Sequence, residues 1–321
     1  MHISRLISTL TLSLAAASVS AQPYPSKPIR FIVGFSAGSS IDTASRLVLE
    51  EVRKRTGAVI VVENRPGALG TIATGAVAKA APDGYTLMPS SSATHSSAPR
   101  LVKTVPYDAL KDFTQIAAVF RFDLLLAVNP SQSFNTVADL VTYAKKNPGK
   151  LNYGYGSATG QVGASAFSRA AGIEAQGIAY KGQPLALNDL AGGQLNFVMA
   201  DVAATVPLMN AGKLRVLGIA SDKRSTIVPN IPTLAEVGIK DVELPGWVGF
   251  AGPAGMPADI VAWWTKHVTE ALAQKDVVDR MRSMGLEPVT SGLSGEPFAK
   301  FVRQQYDVWG RHIQAAGLKP E

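Results

Sequence analysis

Three loops of this chain are unusually rich in glycine, serine and threonine, and each adjoins a stretch that predicts a β-strand. The loops cover residues 35–40, 90–94 and 154–163. Small residues let a ligand approach free backbone N–H groups, and a helix that begins there adds about half a positive charge. Such loops can hold a carboxylate without any arginine. Each loop alone is also typical of a plain strand-to-helix turn, but three in one chain indicate a shared binding cleft.

Three further positions extend this candidate site. Tyr180 and Lys181 end a predicted strand, and Lys181 either pairs with a ligand carboxylate or lies in solvent with its stem on Tyr180. Asp201 ends another predicted strand, where it either accepts a hydrogen bond from a ligand or caps the next helix. The predicted ligand-binding residues are Phe35, Ser36, Ala37, Gly38, Ser39, Asp42, Ser91, Ser92, Thr94, Tyr155, Gly156, Ser157, Thr159, Gly160, Tyr180, Lys181 and Asp201.

The serine-rich loop also raises the alternative of catalysis. A serine hydrolase could use Ser91 or Ser92 with His95 and an acid such as Asp42. No hydrolase motif surrounds these residues. Ser157, in another loop, also lacks the G-x-S-x-G pattern of a nucleophile elbow. We therefore predict a binding protein with no catalytic residues and keep an exported serine hydrolase as the alternative.

The sequence contains no motif for a cofactor or a metal. Gly154, Gly156 and Gly160 are spaced one residue too far apart for the dinucleotide fingerprint, and there is no Walker sequence. The acidic residues show no metal-ligand spacing, and the chain has no cysteine. We expect neither a cofactor nor a metal.

The elements that must position these loops alternate between short apolar runs and helical patterns. Ile29–Val33 is a β-branched run that predicts a strand, and residues 41–52 place apolar side chains on one face of a helix. Further strands are predicted at residues 59–62, 86–88, 116–119, 124–128, 151–153, 178–180, 197–199, 214–220 and 247–251. This alternation predicts an α/β fold with mostly parallel sheets covered on both faces. In such sheets, ligands bind beyond the carboxyl ends of the strands.

The length of 321 residues indicates two lobes. Two segments, at residues 120–123 and 243–246, lie where we expect the chain to cross between them. The predicted organisation is a discontinuous first lobe of residues 22–122 and 245–321 and a second lobe of residues 123–244.

The ends and the charge of the chain predict its compartment and exclude some partners. Residues 1–21 have the order of a cleaved secretory signal, with Arg5 before an apolar stretch and small residues up to Ala21. We therefore expect a periplasmic protein whose fold is held by its core, because it has no disulfides.

The formal charge of +7 comes from scattered basic residues without interleaved aromatics. We expect no nucleic-acid partner and a monomer.

Seven ordered segments resemble a known family. They are PIRFIV at residues 28–33, VENRPGA at 62–68, APDGYTL at 81–87, YKG at 180–182, DLAGGQ at 189–194, PTLAE at 232–236 and GFAGP at 249–253. On these segments, essentially the whole mature chain is similar to the periplasmic receptors of tripartite tricarboxylate transporters, the Bug family.

This resemblance implies a type II periplasmic-binding-protein fold with a hinged interlobe cleft that closes around a ligand. Carried over by position, residues 35–42 and 155–160 would hold one carboxylate through backbone groups and ordered waters. The first turn departs from the family, which usually has a proline and a run of glycines there; Asp42 is kept, but added side chains narrow the pocket.

The expected function is capture of a small organic acid (a mono- or dicarboxylate, amino and aromatic acids included) for delivery to the membrane permease subunits of such a transporter. A ligand receptor for a membrane sensor is a further alternative, because it would share the binding chemistry and differ only in its partner.

Overall fold

The apolar runs of the sequence form two separate β-sheets. The computed structural model describes residues 24–320, so the predicted signal at residues 1–21 lies outside the described residues. The first sheet contains β1 (Ile29–Val33), β2 (Ile60–Asn64), β3 (Thr86–Ser91), β4 (Phe113–Phe122), β10 (Gly246–Pro253) and β11 (Glu287–Pro288). The second contains β5 (Leu124–Val128), β6 (Leu151–Tyr155), β7 (Ala175–Ala179), β8 (Phe197–Asp201) and β9 (Arg215–Ala220).

Both sheets are mixed but have a parallel core. The first has the order β11-β4-β10-β3-β1-β2, with β1 parallel to β2 and β3. In it, β10 lies antiparallel between β3 and β4, and β11 is antiparallel to β4. The second has the order β7-β6-β8-β5-β9, with β6 parallel to β7 and β8, and β5 antiparallel to β8 and β9. The predicted two-sheet α/β architecture is confirmed.

Helices occupy most of the segments between the strands. They are α1 (Ser40–Thr56), α2 (Thr71–Ala78), α3 (Ala98–Leu101), α4 (Val137–Lys146), α5 (Ala158–Ala171), α6 (Gln183–Ala191), α7 (Val202–Asn210), α8 (Ala258–Leu272), α9 (Lys275–Ser283) and α10 (Gly295–Ala315). A 3-10 turn, Ala68–Gly70, precedes α2, and a π-helical turn, Ser92–Ser97, precedes α3. Within residues 24–320, none of the helices is long and apolar enough to span a membrane.

The core explains why the central strands have continuous apolar sequences. Every residue of β5 and β8 is buried, because helices cover both faces of the second sheet. In the first sheet, the rings of Phe31 and Phe250 meet edge to face, with centroids 4.7 Å apart. Such buried aromatic pairs contribute about 0.5–1.5 kcal/mol beyond their area burial. The two cores therefore hold the carboxyl ends of the parallel strands in fixed positions.

The strand β3 is longer than its sequence predicted. The prediction ended at Met88, whereas the strand continues to Ser91 because Ser90 and Ser91 pair with Gly249 and Val248 of β10. A serine-rich sequence can remain in a strand when a neighbouring strand pairs with it. The serine cluster therefore begins inside the sheet rather than in a loop.

Candidate ligand-binding cleft

A cleft lies between the loops of the two sheets and contains a cavity of about 410 Å³. The cavity is lined from the first sheet's side by Gly34, Phe35, Gly67, Ala68, Leu69, Gly70, Leu101 and Val102, and from the second by Tyr155, Gly156, Gln161, Ala179, Tyr180 and Lys181. We call it the larger cavity. Its position beyond the carboxyl ends of β1 and β6 is where ligands bind in open α/β sheets.

A smaller cavity of about 30 Å³, lined by more serine and threonine residues, shares Phe35 and Gly156 with the larger one. It is lined by Phe35, Ser36, Ser39, Ser40, Ile41, Ser91, Ser92, Ala93, Phe122, Gly156, Ser157, Thr159, Gln183, Pro184, Asp201 and Ala204. A water needs about 10–15 Å³ of such space and two to four polar partners. The smaller cavity therefore has room for about two ordered waters at the inner end of the cleft.

Three helices that begin at the cleft are capped by side chains predicted as ligand-binding residues. Ser39 caps α1, Ser157 caps α5 and Asp201 caps α7, each by accepting from the N–H three residues later. A cap satisfies one of the four N–H groups that a helix start leaves unpaired. The caps fix the loops and aim the positive ends of three helix dipoles at the cleft.

Asp42 holds the first loop together rather than facing the cleft. Its carboxylate accepts from the Gly38 N–H at 2.9 Å, from Nε of Arg46 at 3.0 Å and from Nδ2 of Asn64 at 2.8 Å. The Asn64 amide also donates to the carbonyl oxygen of Phe35 at 3.1 Å. Asp42 is only 3% exposed, so these bonds replace its hydration. They tie the loop to both α1 and β2.

In the second sheet's loops, Gly156 allows two backbone segments to come into contact. A Cβ atom at Gly156 would lie 2.1 Å from the carbonyl carbon of Gly182 and 2.2 Å from the nitrogen of Gln183. Those distances are far below van der Waals contact, so only glycine fits here. The close approach joins the loop that follows β6 to the loop that follows β7, and both line the cleft.

The two sides of the cleft touch each other. Ser40, at the start of α1, and Asp201, at the end of β8, line the smaller cavity together. Burial raises the pKa of the Asp201 carboxyl, and the Ala204 N–H and the nearby Ser40 hydroxyl partly offset that effect. Ser36 also lies against Gly182, where an added Cβ would come within 2.3 Å of the serine Oγ. These contacts describe a closed cleft.

The loop between β2 and α2 has an unusual backbone where it lines the larger cavity. Four consecutive residues have positive φ: Gly67 at 141°, Ala68 at 44°, Leu69 at 55° and Gly70 at 89°. Positive φ is unfavourable for alanine and leucine, and such strain concentrates at binding and active sites. The segment VENRPGA was one of those that resemble the family, but residues 67–70 were not predicted to line the site.

The geometry of the serine-rich segment argues against a hydrolase. His95 is fully buried, its Nδ1 lies 3.0 Å from Oγ1 of Thr94, and its ring packs on Phe113 with centroids 4.6 Å apart. Burial lowers the pKa of His95 to about 3, so the ring is neutral. Neither cavity is lined by His95, so it is not placed to activate a serine in the cleft.

Most of the predicted site residues come together in the cleft. Those lining one or both cavities are Phe35, Ser36, Ser39, Ser91, Ser92, Tyr155, Gly156, Ser157, Thr159, Tyr180, Lys181 and Asp201. Those outside both cavities are Ala37, Gly38, Asp42, Thr94 and Gly160. Tyr180 donates its hydroxyl to Oδ2 of Asp189 at 2.8 Å, while the exposed Lys181 is the charged residue of the larger cavity.

Several lining residues were not among the predicted site residues. They include Ser40, Gln161, Gln183, residues 67–70 and residues 101–102. Ser40 and Gln161 lie inside the loops that composition singled out, so extending the selection to every polar side chain of those loops would have included them. Leu101 and Val102 carry no signal of this kind, because an apolar cavity wall has the composition of a core.

The chain is similar to known proteins over most of its length. The model of the tripartite tricarboxylate transporter family receptor matches residues 44–318. The structure of the periplasmic binding protein BugD is 30% identical, with a TM-score of 0.88 over 93% of this chain and 100% of that one.

Two other similar structures contain ligands. Rpa4515 of R. palustris, solved with adipate, is 30% identical, with a TM-score of 0.88 over 93% of this chain and 100% of that chain. MatC of Rhodopseudomonas palustris, solved with bound malate, is 28% identical, with a TM-score of 0.86 over 90% of this chain and 100% of that chain.

These matches confirm the predicted family and the two-lobe periplasmic-binding-protein fold, with the qualification that the sheets are mixed around parallel cores. They contradict the alternative of a serine hydrolase, because the family consists of solute-binding receptors. The chain belongs to the family of tripartite tricarboxylate transporter receptors, whose members bind solutes rather than transform them.

Proposed function

We propose that this protein captures a small organic carboxylate in the periplasm and delivers it to the membrane permease of a tripartite transporter. The observation that carries the proposal is the convergence of three capped helix starts, α1, α5 and α7, on one cleft. Helix starts favour anions by about 0.3–1 kcal/mol each, and more when partly buried. The relatives with bound adipate and malate support the same ligand class.

In this proposal, the carboxylate lies at the inner end of the larger cavity, beside Phe35 and Gly156. Waters in the smaller cavity bridge it to the surrounding hydroxyls of Ser36, Ser91 and Ser157. A direct seat for the carboxylate in the smaller cavity is disfavoured because about 30 Å³ holds only waters. The side chains of Phe35 and Ser36 narrow this end of the cleft, because the first loop carries them where the family usually has proline and glycine.

Capture requires that the lobes open, and we propose two hinge segments. The chain passes from β4 to β5 at Asp123, and from β9 to β10 within residues 221–245. A short crossing at a strand end can absorb the dihedral changes of a domain closure. The proposed lobes are residues 22–122 with 245–321, and residues 123–244. Closure buries the ligand and brings Ser40 against Asp201.

The proposal predicts that dicarboxylates stabilise the purified protein. Adipate or malate at 100 times its Kd should raise the free energy of unfolding by about 2.7 kcal/mol, because the ligand binds only the folded chain. Thermal unfolding with and without each acid measures this, with adipamide as the uncharged control. A panel of mono- and dicarboxylates that all leave the unfolding temperature unchanged would contradict the proposal.

Transport and sensing share this chemistry and differ in the partner. We propose transport, because the family is defined as the receptor of a transporter. Deletion of the gene should therefore abolish uptake of the bound acid, measured with a radiolabelled ligand. Unchanged uptake with a lost transcriptional response to that acid would favour a sensor instead.

A further inference from the structure

The walls of the larger cavity are mainly apolar and aromatic. The side chains concerned are those of Phe35, Leu69, Leu101, Val102, Tyr155 and Tyr180. A volume of about 410 Å³ lies in the range of pockets that enclose molecules with rings rather than the shortest acids. An apolar ligand body would be stabilised there by about 25 cal/mol for each Å² of surface removed from water. The cavity therefore fits a carboxylate with an aromatic body.

One polar side chain in this cavity is buried without a partner. Gln161 lies in the first turn of α5, is 6% exposed and lines the larger cavity. Its Oε1 is shielded from water and accepts no hydrogen bond from any of residues 24–320, so the terminal amide must rotate to turn this oxygen towards the cavity. A buried acceptor left unpaired costs about 1–3 kcal/mol, so the structure has an unfilled requirement for a donor at this point.

The charges around the larger cavity restrict what that donor can be. Among the described residues, no aspartate or glutamate lines it, and its charged lining residue is Lys181. An ammonium group on the ligand would be desolvated near a cation without a counterion, which is unfavourable. A neutral donor such as a hydroxyl satisfies the Gln161 carbonyl without that penalty.

We infer that the ligand is a hydroxylated aromatic carboxylate and that Gln161 determines specificity by accepting a hydrogen bond from its hydroxyl. This inference rests on the proposed function, since it names the class of acid that the same cleft takes. A site built to bind a hydroxyl discriminates strongly against the analogue that lacks it, because the buried polar group is then unpaired.

The test compares benzoate with 3- and 4-hydroxybenzoate by titration calorimetry on the mature chain. We expect at least one hydroxybenzoate to bind at least about tenfold more tightly than benzoate, which corresponds to about 1.4 kcal/mol. In Gln161→Leu this ratio should fall below about twofold, with the affinity for benzoate nearly unchanged. Gln161→Met, which keeps the length of the side chain, provides a second variant if Gln161→Leu does not fold.

A matched control distinguishes this role from a general effect of replacing glutamine. Gln132→Leu changes a glutamine of the second sheet's side that donates to the Leu195 carbonyl at 3.1 Å and lines neither cavity. It should leave the ratio between hydroxybenzoate and benzoate unchanged.

Three outcomes would overturn the inference. Hydroxybenzoates that bind no better than benzoate would remove its basis, and so would a preference that survives in Gln161→Leu and Gln161→Met. If adipate or malate binds but no aromatic acid does, the inference fails while the proposed function stands. If no carboxylate of either kind binds, both fail together.

Discussion

Replacing Gly156 by alanine should lower the affinity for the bound acid by about 100-fold, or about 2.7 kcal/mol. The new Cβ would lie 2.1 Å from a backbone carbon of Gly182, so the loops after β6 and β7 would have to separate by more than 1 Å. That movement displaces Tyr155 and Lys181 on the wall of the larger cavity. We also expect a loss of about 1–3 kcal/mol in folding stability, typical of overpacking. Calorimetric titration with adipate or malate measures the affinity.

A neighbouring glycine provides the control for this variant. A Cβ at Gly192, which follows α6, would meet only two carbonyl oxygens at 3.5 and 3.6 Å, which is ordinary contact. Gly192 has φ of −80°, a conformation that alanine adopts readily. Gly192→Ala should therefore bind and fold like the unmodified protein. Equal affinities for Gly156→Ala and Gly192→Ala would show that the contact between the loops does not shape the site.

Replacing Asp42 by asparagine should destabilise the protein by about 2–3 kcal/mol and weaken binding of the acid at the same time. The asparagine Oδ1 can still accept from Arg46 and Asn64, but its NH2 group would face the Gly38 N–H, so a hydrogen bond of the first loop would be lost. The ion pair between the buried carboxylate and the half-exposed Arg46 would be lost as well. The loop of residues 35–40 would then be held less firmly against the start of α1 at the cleft. Chemical unfolding and titration with adipate or malate measure the two effects.

The control for Asp42→Asn lies on the same helix. Glu50 pairs with Arg53 at 2.8 Å, but both side chains are about half exposed. Surface pairs of this kind contribute about 0–1 kcal/mol, so Glu50→Gln should change stability little and binding not at all. If Asp42→Asn kept full affinity, the first loop would not need this anchor to bind the acid.

The sequence was sufficient to predict most of the strands and most of the loops that form the cleft, but not β11 or the loop of residues 67–70. Ile29–Val33 and Leu124–Val128 form strands with the predicted bounds, because buried strands are rich in apolar residues, and the exposed Arg30 is the one charged residue of the two. The small residues of loops 35–40 and 154–163 lie at helix starts, as their composition indicated. Such a loop can be both a plain strand-to-helix turn and part of a binding site. Ser157 is an example, since it caps α5 and also lines the smaller cavity.

Features that depend on distant parts of the chain could not be predicted. Whether β10 lies antiparallel between β3 and β4 is decided by packing across more than 100 residues of sequence. The partners of Asp42 include Asn64, which is 22 residues away. Gln161 lies in a loop that composition singled out, but its significance appears only when its burial, its place at the cavity and its lack of a partner are seen together. Contacts of this kind are set by tertiary structure rather than local pattern.

Native mass spectrometry of protein purified without unfolding tests most directly whether this chain captures a carboxylate. Closed clefts release ligands slowly, so bound acid should survive purification. We predict a one-to-one complex with a small organic acid that is released chemically unchanged on denaturation. An empty protein that stays empty after incubation with adipate, malate and hydroxybenzoates would contradict the account, and so would release of a hydrolysis product.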